Sequence, residues 1–225
     1  FAYEYMGNHT IKDIIGSLGV PHVEVDLILA NSKSIPFSYK PKNTDHISVY
    51  PVFELFDISP LNHLRPKPLR DPKFILDVHL GKLARMLRMT GFDTLYQNDY
   101  KDEEIIRIAE EEKRIILTRD VGILKNGRVQ RGHWVRNTDP EKQLEEIFER
   151  FQLLNLIQSF TRCMECNGKL KSVRKNEIKS RLEEGTRKSF NEFFQCRECG
   201  KVYWKGSHVE KMEKIIEKLG RRIKQ

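Results

Sequence analysis

Phe74-Ile75-Leu76-Asp77, Thr94-Leu95-Tyr96 and Arg114-Ile115-Ile116-Leu117-Thr118-Arg119-Asp120 are the runs whose reading decides the fold. Each contains a short apolar stretch of strand length. Between the first two, His79 to Thr90 sets Leu80, Leu83, Ala84 and Leu87 at helical spacing, and Gly91 follows as a helix stop. Between the second and third, Asp102 opens a run to Glu112 with Ile105, Ile106, Ile108 and Ala109 supplying the apolar face. Strand, helix, strand, helix, strand predicts an α/β core with a parallel sheet and right-handed crossovers. Ligands of such sheets bind beyond the carboxyl ends of the strands, and Asp77, Asp102 and Asp120 all fall there.

Three aspartates in those positions suit one chemistry well. Phosphodiester hydrolysis needs charge on the attacking and leaving oxygens and an activated water, which two divalent cations roughly 3.5 to 4 Å apart can supply. Hard ions such as Mg²⁺ or Mn²⁺ take carboxylate oxygens, so three converging aspartates fit that chemistry better than zinc hydrolysis. Structure alone offers a competing account. Asp102 stands where a helix N-cap belongs, and Asp120 can pair with Arg119 or start a turn. Asp77 resists that account, because an acid closing a buried strand is costly unless paired or bound to a cation. On the helix after Asp77, Lys82, Arg85 and Arg88 are candidates to hold a phosphate, or are its solvated stripe. Arg119 is a further candidate RNA contact.

Outward from this core, residues 1–56 alternate as a small α+β roll. Phe1 to Met6 reads as a strand, Thr10 caps a helix over Ile11 to Leu18, Val25 to Leu29 is a strand, and His46 to Phe53 is the last. That order is ubiquitin-like, and because Phe1 already lies in a strand, a further strand is expected upstream. No Gly-Gly terminus follows; the chain runs on through Glu54, Leu55 and Phe56, so docking or substrate orientation suits the module better than a carrier role. Residues 57–72 carry four prolines and read as an extended linker. The core itself spans 73–158, closed by a helix from Pro140 to Phe151.

The last segment, 159–225, holds all four cysteines as Cys163-x₂-Cys166 and Cys196-x₂-Cys199, each pair followed closely by a glycine. Two such knuckles make a closed tetrahedral Zn²⁺ site, structural because protein supplies every ligand. Net charge divides unevenly: zero over 1–70, −1 over 71–158 and +9 over 159–225, giving the +8 of the whole chain. Lysines and arginines crowd the insertion between the knuckles, and Tyr203 and Trp204 follow the second. Cations beside aromatics suit phosphate contact and base stacking on single-stranded RNA; alternatively the two rings pack the ribbon core. No apolar run approaches the roughly 20 residues of a membrane span. The expected setting is cytoplasmic.

Phe74-Ile75-Leu76-Asp77, Leu80-Gly81-Lys82-Leu83-Ala84-Arg85, Leu87-Arg88, Gly91-Phe92-Asp93 and Leu117-Thr118-Arg119-Asp120 together resemble the Mut-seven C-terminal RNase domain family, a branch of the PIN-like nucleases. The similarity continues through Gln143-Leu144, Arg162-Cys163, Cys166-Asn167 and Tyr203-Trp204-Lys205-Gly206-Ser207-His208, and Thr10 to Asp26 resembles the ubiquitin-like module found before that family. The resemblance implies a PIN-like fold and a metal-dependent ribonuclease with Asp77, Asp102 and Asp120 as its acids. The function expected is therefore RNA hydrolysis with Mg²⁺ or Mn²⁺ as catalytic metal, RNA held by the basic zinc ribbon, and the ubiquitin-like module open to a protein partner. A noncatalytic RNA-binding adaptor with a vestigial acidic site is the alternative.

Overall fold

The computed structural model describes residues 1–5, 7–51 and 71–223. Of the linker expected over 57–72, all but Asp71 and Pro72 lies outside the described residues.

At the N-terminal end, helix α1 (Ile11–Ser17) begins with a reciprocal cap: the Asp13 N–H donates to Thr10 Oγ1 at 3.3 Å and the Thr10 N–H to Asp13 Oδ2 at 3.0 Å. Its apolar face packs on strand β1 (Val25–Ala30), which lies between β2 (Lys33–Ser34) and β3 (Ile47–Pro51), antiparallel to both. Ile11, Ile14, Ile15, Val25, Ile28, Ala30 and Ile35 form the core of this roll. The strand expected over Phe1 to Met6 is not found in the described part, Phe1–Tyr5. Those residues are held by side chains instead, Tyr5 packing on the roll with its hydroxyl donating to Pro41 O at 2.6 Å.

The α/β part follows the expected alternation: β4 (Phe74–Leu76), α2 (Gly81–Met89), β5 (Thr94–Leu95), α3 (Asp102–Glu112) and β6 (Ile115–Thr118). Two elements not read from the sequence come next, the short helix α4 (Val121–Lys125) and strand β7 (Gly132–Trp134). The four strands stand in the order β5-β4-β6-β7. Phe74 lies opposite Thr94 and Ile75 opposite Leu95 in the parallel β4–β5 pair, while Ile116, Leu117 and Thr118 face Gly132, His133 and Trp134 in the parallel β6–β7 pair.

Helix α5 (Pro140–Phe151) starts with proline in its first turn and Asp139 as cap, the Asp139 carboxylate accepting from the N–H groups of Glu141 and Lys142. Leu144, Ile147 and Phe148 are fully buried. Phe74, Phe92, Phe148 and Phe151 meet edge to face at 5.8 to 6.0 Å. The ribbon is an antiparallel sheet of β8 (Leu170–Val173), β9 (Phe193–Cys196) and β10 (Val202–Trp204) in the order β10-β9-β8, with helix α6 (Glu184–Ser189) in the insertion. The last helix, α7 (Ser207–Ile223), packs on α5, burying Val209, Met212 and Ile215 and pairing Lys211 with Glu141 at 2.6 Å.

By contacts the chain forms two compact units, and neither is continuous in sequence. One contains residues 1–71 and 101–134; the other contains 72–100 and 135–225. The first unites the ubiquitin-like roll with α3, β6, α4 and β7. The second unites β4, α2 and β5 with α5, the ribbon and α7. No helix of the described residues is long and apolar enough to cross a membrane.

Candidate metal centre and active-site residues

The cysteine pairs sit on two knuckles brought together by the ribbon sheet. Among the described residues, Cys163, Cys166, Cys196 and Cys199 gather their sulfurs within 4.8 Å of one another, with Cys163 and Cys199 3.6 Å apart and Cys166 and Cys196 3.4 Å apart. A tetrahedral ion with metal–sulfur bonds of about 2.3 Å spaces its sulfurs by roughly 3.8 Å, so the cluster fits a metal such as zinc. Four thiols this close cannot all ionise without a cation. Burial pushes the Cys166 thiol up to about 12; at Cys163 burial acts the same way, but backbone N–H groups and the Tyr203 hydroxyl outweigh it and bring the thiol down to about 7.

What holds the first knuckle in place comes from α2 and β5. Arg88, 4% exposed, donates from Nε to Thr94 O at 2.8 Å and from one terminal nitrogen to Met164 O at 3.1 Å and Glu165 O at 2.7 Å. Burial pulls its pKa down, opposed by the nearby Cys163 and Cys166 sulfurs. Asn167, in a left-handed conformation at φ 66°, accepts from the Thr94 N–H at 3.0 Å and donates to Asp93 at 2.8 Å. Arg162 pairs with the other Asp93 oxygen at 2.9 Å. Gly91, at φ 100°, tolerates no side chain, since a Cβ there would lie 2.3 Å from Gln158 O. Ribbon and α2–β5 are therefore one packed body, joined by hydrogen bonds to backbone carbonyls that the sequence gives no direct sign of.

Each of the three aspartates has its own surroundings. Asp77, 6% exposed, follows the fully buried β4 and leads into a turn, Val78–Leu80, that the Tyr96 hydroxyl fastens by donating to Val78 O at 2.9 Å. Asp120 is exposed and caps α4, its Oδ1 accepting from the Gly122 N–H at 2.6 Å, while its own N–H donates to Thr118 Oγ1 at 2.8 Å. Asp102 is exposed too. It is the first residue of α3 rather than its cap, which is Lys101, and shares the first turn with Glu103 and Glu104, where negative charge favours the helix dipole.

Residues 72–216 match the model of the Mut7-C RNAse domain, well over half of the chain. The chain belongs to the Mut7-C RNAse domain family. Residues 1–57 match the model described as Mut7-C ubiquitin, which agrees with the roll built on α1 and β1. No curated protein matches the chain, and no solved structure does. Membership in the Mut7-C RNAse family gives the chain a nuclease-type, RNA-related domain preceded by a ubiquitin-like module, combinations that fit RNA and protein partners.

Against this Mut7-C RNAse framework, two expected RNA contacts are corrected. Arg88 does not share a solvated stripe with Arg85; it is buried and its guanidinium is spent on three carbonyls. Tyr203, 6% exposed, packs with Cys163 and Cys196 and its hydroxyl lies 3.0 Å from Cys163 Sγ, so its ring offers no face to a base. Trp204 is half-buried against Phe190. Arg85 is exposed and pairs with Glu165 at 2.7 Å, whereas Lys82 and Arg119 are exposed cations.

Proposed function

We propose that this Mut7-C RNAse family member hydrolyses RNA phosphodiester bonds with Mg²⁺ or Mn²⁺, held by Asp77, Asp102 and Asp120. The observation that carries the reading is Asp77, a buried carboxylate directly at the carboxyl end of a fully buried strand in a chain whose residues 72–216 match a ribonuclease family. Carboxylate oxygens are the donors such hard ions take, and when bound the ions supply charge to the scissile phosphate and an acidic water. Asp77 brings a charge whose burial favours a cationic neighbour. Asp120 is oriented by its cap, which fixes Oδ1 on Gly122 N–H. Asp102 contributes an exposed carboxylate in the first turn of α3.

Substrate contact falls to the exposed cations. Lys82 and Arg119 stand five residues after Asp77 and one before Asp120 in sequence, and Lys171, Arg174 and Lys179 lie exposed on the ribbon insertion. Zinc in the cysteine cluster is structural in this reading, since all four ligands come from the chain. The test is cleavage of single-stranded RNA by the purified chain with Mn²⁺, Mg²⁺ or chelator, alongside Asp77→Asn and Asp120→Asn. Loss of at least a hundredfold in both variants, with zinc content and fold unchanged, is expected. Wild-type cleavage by either variant would overturn the mechanism.

A further inference from the structure

The ubiquitin-like roll buries two residues that its own core does not use. Val23 is 1% and Glu24 8% exposed, yet neither belongs to the cluster of Ile11, Ile14, Ile15, Val25, Ile28, Ala30 and Ile35. Both lie in the turn His22–Glu24, and that turn meets β7 and α4 of the ribonuclease domain, inside one compact unit.

The contact is chemically specific. Among the described residues, strand β7 is the last of its sheet, and a side chain of the turn meets its outer edge. Glu24 Oε1 accepts the Trp134 N–H at 2.8 Å, a charge-assisted bond, and stands 3.1 Å from His133 Nδ1. Beside it, Gly132 lets three elements meet. A Cβ on that residue would lie 2.5 Å from Leu124 Cδ2 and 3.5 Å from Val23 Cγ2, and Leu124 is itself fully buried. Leu124 belongs to α4, the helix that Asp120 caps.

From this we infer that the ubiquitin-like module's docking partner is its own ribonuclease domain: the Val23–Glu24 turn seals the edge of β7 and steadies α4, making Glu24 a positioning residue for Asp120. The step from docking to catalysis rests on the role proposed for Asp120. The occupant of this face is thus the segment Gly132–Trp134 with α4, rather than a protein in trans.

The test uses the full chain carrying Glu24→Ala or the milder Glu24→Gln, with Asp120→Asn in parallel. Hydrogen exchange over 121–134, kcat and KM on single-stranded RNA, and zinc content are measured for each. Expected for Glu24→Ala is exchange at least tenfold faster over 121–134 and a matching fall in kcat, with KM and zinc content unchanged; Glu24→Gln, which keeps an acceptor but loses the charge, falls between. Wild-type exchange over 121–134 in both variants would overturn the docking. Faster exchange with unchanged kcat, while Asp120→Asn is inactive, would overturn the positioning role. If Asp120→Asn cleaves normally, the catalytic reading fails by itself and the exchange data alone decide the docking.

Discussion

Arg88 and Lys82 lie six residues apart on one helix and have opposite fates. Lys82 is exposed, whereas Arg88 is walled in with three carbonyls as partners. Replacing Arg88 with Met leaves the buried Thr94 carbonyl and the half-buried carbonyls of the knuckle without this donor, and the expected cost is about 1 to 3 kcal/mol. Chemical denaturation and the rate of zinc release to a chelator both report it. Lys82→Ala should leave stability alone and flatten the salt dependence of RNA binding by roughly 0.7 in log–log slope. The sequence held part of this distinction. Arg88 falls four residues after Ala84 and eight after Leu80, on the stripe that is buried, although the sequence alone sets it with Lys82 and Arg85 as a phosphate contact or a solvated stripe. Its charge argued for solvent, and the carbonyls that answer that charge come from Thr94 and from Met164 and Glu165, the last two far away in sequence. Asp120 poses the reverse case, since its position after β6 was legible but its cap on α4 was not. Gly122→Ala puts a methyl 2.9 Å from Asp120 Oδ1. Cleavage should drop at least tenfold while circular dichroism stays as in wild type, because alanine is at home early in a helix.

Elements were legible in proportion to their length and periodicity. Helix α5 matches its expected span because proline, a capping aspartate and a clean apolar face all agree. Strand β7 and helix α4, of three and five residues, carry no period long enough to read; β7 exists because β6 offers it a parallel partner. The zinc ribbon shows the same limit at its border. Its knuckles were plain from spacing, whereas its union with α2 and β5 depends on Asn167, Arg162 and Asp93, polar residues whose partners lie far away in sequence. Stripping zinc with a chelator should therefore loosen more than the ribbon. Hydrogen exchange is expected to accelerate over 86–95 as well as over 163–168; protection of 86–95 unchanged after metal removal would show that the α2–β5 contacts hold without the ion.

For the whole chain, family boundaries and compact units divide the sequence differently. The family models part it near residues 57 and 72, whereas the compact units exchange the segments 72–100 and 101–134. Cutting the chain before the ribbon would strip Arg88 and Thr94 of partners, so a truncation after Ser159 should yield aggregated protein, visible by light scattering. Charge reversal on the ribbon is the cleaner probe of substrate binding. Lys171→Glu with Lys179→Glu is expected to weaken single-stranded RNA binding and flatten its salt slope by roughly 1.4, with zinc content unchanged. The interleaving also bears on how the chain is made. Arg88 leaves the ribosome 76 residues ahead of Met164, the residue that receives its hydrogen bond. At about 5 to 20 residues per second, α2 and β5 wait roughly 4 to 15 s beside an unfilled core. Capture of a metal by the four cysteines comes only after that interval, and a cell short of the metal is expected to accumulate chains in which α2 and β5 have nothing to close on.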